Sequence, residues 1–252
     1  VERTRPRWRL LRTGPGAPAD NLALDEALMT SDGGPVLRLY AWDPPALSLG
    51  YFQPLAAFDA GAARRAGAVL VRRPTGGGAI HHEHELTFAI AARPGHDGYP
   101  GSVVAGYERV HEGLRRALAT LGAVVRPHGA GGLSTRPRDA AHCFTDLTAL
   151  DLVDAAGRKV VGSAQRRAGG RVLHHGSIPI TAPGLTPGSG SVREAAGREV
   201  GWDELADEVA RGLAGALGLV LEPDHPREAE RVRARALARG RYADPGWSRS
   251  RP

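Results

Sequence analysis

Two glycine-bearing interruptions between residues 149 and 180 constrain the fold more than any other stretch. Ala155-Ala156-Gly157-Arg158 and Ala168-Gly169-Gly170 separate three runs of strand composition, at 149–153, 159–166 and 171–180. Turns this short join antiparallel neighbours, so the segment reads as a three-strand meander with Lys159 at the start of a central strand. A sheet needs apolar cover. Val104, Tyr107, Val110, Leu114, Leu118 and Leu121 recur at steps of three and four, one face of a helix of about five turns. Residues 202–217 supply a second helix.

The remaining chain alternates the same two element types. Residues 20–29 (DNLALDEALM) open with capping residues and read as a short helix. Runs 36–41 and 46–50 are expected to form a strand pair, tightly connected by Asp43-Pro44-Pro45, which can continue neither element. A helix over 55–66, a buried strand over 68–73 and a strand over 86–92 follow, then a loop over 127–141 that ends just before Cys143. A second loop covers 183–191, and a basic helix over 226–238 precedes an irregular tail. No internal repeat occurs. The order predicts an α/β or α+β fold, a mixed sheet core flanked by helices. Residues 1–222 would form the core domain and 223–252 a C-terminal helix and tail of the same unit.

A chain of 252 residues can bury one sizeable core. It has no apolar run of eighteen or more and no signal-like N-terminal stretch, so a soluble, cytoplasmic protein is expected. The net charge of +6 points to acidic partners: nucleic acid, a membrane surface or an acidic carrier protein. A GC-rich coding bias accounts for the charge equally well, because only one of the 33 basic residues, Lys159, is lysine. Ammonium and guanidinium differ where a compact charge or a removable proton is needed, which singles Lys159 out. Cys143, the only cysteine, cannot form an internal disulfide and is either a small buried residue or a reagent.

Arg72-Arg73-Pro74-Thr75-Gly76-Gly77-Gly78 is a strand end running into three glycines, where backbone N–H groups can converge on a carboxylate, carbonyl or phosphate. It is neither a Walker loop nor a dinucleotide fingerprint, and a plain turn has the same appearance. His81, His82 and His84 with Glu83 and Glu85 lack a cysteine or further histidine at zinc-ligand spacing, although His174-His175 offers a completing pair; no metal is expected. No Gly-x-Ser-x-Gly elbow appears.

In combination these pieces are more specific. Asn21-Leu22-Ala23-Leu24-Asp25-Glu26-Ala27, the stretch 42–53 (WDPPALSLGYFQ), 72–82 (RRPTGGGAIHH) with Glu85-Leu86-Thr87, Cys143-Phe144, and 157–167 (GRKVVGSAQRR) continuing to Leu173-His174-His175-Gly176-Ser177 stand in one order. The chain resembles, from about Trp8 to Trp247, the biotin and lipoate protein ligase superfamily, and within it the cysteine-dependent octanoyltransferases. The resemblance implies that Lys159 is the superfamily's lysine and Cys143 the nucleophile. It implies substrate contacts at Arg73, Thr75, Gly76, Gly77, Gly78, His82, Gly162, Ala164, His175 and Gly176. ATP-dependent lipoate ligases lack the cysteine and commonly carry a further C-terminal domain, so the transferase branch is expected, with no ATP or other cofactor.

The implied chemistry has two steps. The Cys143 thiolate attacks the thioester of octanoyl-acyl carrier protein, and the lysine of a lipoyl domain, such as glycine cleavage H protein or a 2-oxoacid dehydrogenase E2, then takes the acyl group as an amide. A nearby ammonium lowers a thiol pKa from about 8.5 toward 7, a role open to Lys159, and N–H groups near Gly78 or Gly162 would hold the oxyanion. Burying the octanoyl methylenes at about 0.8 kcal/mol each contributes roughly 5 kcal/mol, with Val71, Ile80, Val160 and Val161 as candidate linings. The alternatives are an ATP-dependent lipoate ligase, an amidotransferase between carrier domains and, from another class, a nucleic-acid-binding module. The last lacks an aromatic stacking face, and neither nucleic acid nor membrane is an expected partner.

Overall fold

The computed structural model describes residues 4–55, 60–129, 147–186 and 188–249. Its strands are β1 (Arg7–Gly16), β2 (Val36–Trp42), β3 (Ala46–Leu49), β4 (Val69–Arg72), β5 (Ile80–His82), β6 (Glu85–Ala92), β7 (Arg126–Pro127), β8 (Leu152–Val153), β9 (Lys159–Ala168), β10 (Arg171–Pro179) and β11 (Val220–Asp224). The helices are α1 (Pro18–Met29), α2 (Ala60–Arg65), α3 (Val103–Thr120), α4 (Val192–Ala196), α5 (Trp202–Leu217), α6 (Glu228–Leu237) and α7 (Pro245–Arg249), with a π-helical turn at Ala238–Tyr242.

An eight-stranded mixed sheet runs β11-β1-β2-β6-β10-β9-β8-β7, and a three-stranded sheet runs β4-β3-β5. The expected meander is present: β10 pairs antiparallel with β9, and β9 with β8. Helices α3 and α5 cover one face. Val110, Leu114 and Leu118 of α3 and Leu205, Val209 and Leu213 of α5 share a core with Leu39, Phe88 and Ile90. The two helices cross at Gly113 and Gly212, where a Cβ on Gly212 would lie 2.3 Å from the Gly113 carbonyl. Helix α1, the π-helical turn and the small sheet cover the other face, packing Leu22, Tyr40, Trp42, Val71, Leu173 and Tyr242 together. With cover on both sides, β6 is buried throughout, which explains its apolar run from Phe88 to Ala92.

Runs 36–42 and 46–49 do not pair with each other. β2 lies between β1 and β6, while β3 lies between β4 and β5 in the second sheet. Pro44 and Pro45 have no N–H with which to close a hairpin ladder, so the corner passes the chain from one sheet to the other. The tail is also more regular than expected. Trp247 donates its indole N–H to the Arg72 carbonyl (2.9 Å), and Arg72 donates to the Ser248 carbonyl (2.9 Å), tying α7 to β4. Among the described residues no helix is long and apolar enough to cross a membrane.

Candidate active site

A pocket opens between the two sheets, with roughly 360 Å³ of non-atom space that includes open solvent at its mouth. Tyr40, Trp42 and Thr87 line it from the large sheet, Ser48, Ile80 and His82 from the small one, and Leu22 from α1. Gly162, Ser163 and Ala164 of β9 and His175, Gly176 and Ser177 of β10 form the remaining wall. Strand alternation separates the two adjacent histidines. His175 faces the pocket, whereas His174 faces α3, where it bonds Tyr99 (2.8 Å) and Ser163 (3.1 Å). They therefore do not form one metal-ligating pair.

Of the expected contact residues, Arg73, His82, Gly162, Ala164, His175 and Gly176 line the pocket, and Thr75 is 2.6 Å from His175 Nε2. Gly76, Gly77 and Gly78 are not part of the lining, and Gly77 is exposed. Arg73 donates to the carbonyls of Gly76 (2.8 Å) and Gly78 (2.6 Å), and Gly77, at φ +92°, packs so closely that a Cβ on Gly50 would meet its carbonyl at 1.9 Å. The two arginines before the loop thus tie backbone rather than offer free charge: Arg72 donates to the carbonyls of Gly50 and Gln53, both at 2.7 Å. Of the four aliphatic candidates, Ile80 alone is in the lining; Val160 and Val161 belong to the core under α3 and α5, and Val71 packs behind Trp42.

Two buried carboxylates organise the polar wall. Glu85 accepts from His82 Nδ1 (2.8 Å), Thr87 and Ser177, and His82 Nε2 meets Ser48 Oγ at 2.7 Å while the ring stacks on Trp42. Burial pushes the Glu85 carboxyl up, but His82 and the two hydroxyls outweigh it and hold it below the ordinary glutamate value. A carboxylate, an imidazole and a hydroxyl in series make a relay able to carry a proton at the pocket wall. Asp25 is fully buried and bonds Arg38 (2.7 Å), Tyr40 (2.8 Å) and His175 Nδ1 (3.3 Å). Burial raises its pKa, and the Arg38 charge with the His175 and Tyr40 bonds brings it below the usual aspartate value. His175 is itself held below the ordinary histidine value, chiefly by burial, and is a neutral ring at pH 7.

Lys159 begins β9, three residues before Gly162 and outside the lining, with its Nζ 2.9 Å from buried Asp151. Cys143 lies outside the described residues. Composition alone gave no signal for Asp25, Trp42, Ser48, Glu85 or Asp151; all but Asp151 sit inside the motif stretches quoted above, where their types look ordinary.

Residues 17–186 match the lipoyl protein ligase A/B catalytic domain model. The chain is 38% identical to an octanoyltransferase LipM of Symbiobacterium thermophilum, over 96% of this chain and 97% of that one. It is 37% identical to an octanoyltransferase LipM of Kyrpidia tusciae, over 94% and 97%. Among solved structures, a lipoate-protein ligase A bound with ATP superposes with a TM-score of 0.79 at 26% identity, covering 98% of this chain and 99% of that one.

Proposed function

Because the chain belongs to the lipoyl protein ligase A/B catalytic-domain family, we infer that it is a protein octanoyltransferase that carries octanoyl through a Cys143 thioester to the lysine of a lipoyl domain. The observation that carries this reading within the structure is the pocket between the sheets. It is closed by apolar Leu22, Trp42 and Ile80 and walled by small Gly162, Ala164 and Gly176, which suits a linear acyl chain. Its β9 wall leads back to Lys159, the charged group at the reacting end.

The Cys143 thiolate bonds to the acyl carbon of octanoyl-acyl carrier protein, the carbon–sulfur bond to the carrier breaks, and the carrier leaves as a thiolate that takes a proton from solvent. The target amine of an acceptor such as H protein or an E2 lipoyl domain then forms the C–N bond, Cys143 leaves as thiolate, and the amine's proton passes to a base. The His82–Glu85 pair is the candidate acceptor for that proton. Lys159 supplies positive charge for the thiolate and a donor for the carbonyl oxygen. A thioester-to-amide exchange is downhill without nucleotide.

The test is transfer in the absence of ATP. Mixed with octanoyl-acyl carrier protein and an apo lipoyl domain, the chain should leave the domain heavier by one octanoyl group. Transfer that appears only with free octanoate or lipoate and ATP would instead establish a ligase, and transfer only from an already modified carrier domain an amidotransferase.

A further inference from the structure

Lys159 is the most deeply placed charge at the head of β9. Its side chain is 2% exposed, and its Nζ lies 2.9 Å from Oδ2 of Asp151, which is 5% exposed. An ammonium taken this far out of water loses its proton readily unless a negative charge faces it. The Asp151 carboxylate is that charge, and its aim is set by its surroundings. The Thr148 N–H donates to the same Oδ2 at 2.7 Å, the Asp151 N–H donates to the Thr148 carbonyl at 3.2 Å, and the His128 N–H donates to the Asp151 carbonyl at 2.9 Å.

A third element registers the turn from beneath. His111 of α3 approaches the Leu150 carbonyl through Nδ1 and Ser163 Oγ through Nε2 at 2.7 Å. A carbonyl only accepts, so Nδ1 carries the hydrogen and Nε2 takes the Ser163 proton. His174 Nε2 then donates to Ser163 Oγ, and Tyr99 donates to His174 Nδ1. Each donor and acceptor in the chain has one consistent direction with both rings neutral, and burial holds both rings below the ordinary histidine value. Among the described residues, the other charges near the head of β9, Arg158, Asp154 and Glu194, are paired with one another. Among the same residues Asp151 is the carboxylate that faces Lys159, and α3 holds its turn in register.

We propose that Asp151 is a positioning residue that keeps Lys159 an ammonium and aims it, so that Lys159 acts in catalysis as a positive donor and not as a base. The catalytic half of this statement rests on the reading that Lys159 serves Cys143.

The composition of the chain makes the test direct. Lys159 is the only lysine and Cys143 the only cysteine, so lysine labelled with carbon-13 at Cε gives one signal, and iodoacetamide reads one thiol. In the full chain the lysine signal should show no titration across neutral pH. In Asp151→Asn its midpoint should fall by about one pH unit or more. Alkylation of Cys143 should require higher pH, and kcat should drop at least about tenfold with KM for the octanoyl donor nearly unchanged. Asp151→Glu should keep the lysine charged but misaim it, lowering kcat less than Asp151→Asn does. If Asp151→Asn does not fold, Asp151→Glu decides, because a kcat equal to the parent's overturns the positioning role. An Asp151→Asn lysine that titrates like the parent's overturns the inference, and the dyad reading survives if Lys159→Met still slows alkylation. Alkylation unchanged in Lys159→Met overturns the dyad reading and the catalytic half with it, whatever Asp151→Asn shows.

Discussion

His174 and His175 are neighbours in the chain and serve opposite faces of the large sheet, the first held by Tyr99 and Ser163 under α3, the second by Thr75 and Asp25 beside the pocket. Both rings lie below the ordinary histidine value because burial disfavours the charged form, and His111 shares that state. The unfolded chain binds protons on these rings as pH falls through about 6.5, and the folded chain resists, so acidification favours unfolding. Asp25 and Glu85 lie below their ordinary values; their contribution is present above about pH 4 and is lost as pH falls through the folded values. Thermal melts should show Tm decreasing from about pH 6.5 to 5 and more steeply below about 4. A Tm that rises between pH 7 and 5 would contradict buried neutral imidazoles.

Removing one member of the Asp25–Arg38 pair leaves an uncompensated charge in the core, since the side chains are 0% and 2% exposed. Asp25→Ala should cost about 3–5 kcal/mol in urea unfolding. The double variant Asp25→Leu with Arg38→Met, which removes both charges, should recover much of that loss. Additive losses in the double variant would show that the pair is not the source.

How far the site could be read beforehand depended on the kind of signal each residue leaves. Helices α3 and α5 and the β8–β9–β10 meander carry their own periodicity and turns, so they are legible without tertiary context. β1 and β11 are not, because Arg7 and Arg9 interrupt the apolar pattern and Pro223 argues against a strand. Arg9 is accommodated by Glu230 and Asp224 at 2.7 and 2.6 Å, and Pro223 by a position on a sheet edge. β2 and β3 read as a pair but join different sheets, because local sequence does not say which sheet a strand joins. Arg73, His82, Gly162, Ala164, His175 and Gly176 of the lining are among the contacts that motif resemblance implies, whereas Leu22, Tyr40, Trp42 and Ser48 are not; Asp25 and Asp151 have the look of surface acids until Arg38 and Lys159 are placed against them. Cys143 and Lys159 stood out by composition alone, as the only residues of their kinds.

Leu22 closes the pocket from α1 and is buried. Leu22→Phe should shorten the space for the acyl chain, so that kcat/KM for octanoyl over hexanoyl donors falls by about tenfold, the scale of one or two methylenes. Unchanged chain-length preference would place the acyl group elsewhere.

The tail after α6 is expected to unfold with the core. Trp247 bonds the Arg72 carbonyl, and Tyr242 and Arg241 bond Glu26 of α1. Trp247→Ala should cost about 2 kcal/mol in a single cooperative transition and raise KM through the Arg72-supported glycine loop. A separate early transition for the tail would show that it is an independent appendage.

Octanoyl transfer through Cys143 requires a covalent octanoyl-enzyme. Intact-mass measurement of the chain after mixing with octanoyl-acyl carrier protein, without acceptor, should show a gain of one octanoyl group that hydroxylamine removes and that is absent in Cys143→Ala. Transfer to a lipoyl domain that persists in Cys143→Ala, or an octanoyl adduct that survives that substitution, would rule out the Cys143 thioester.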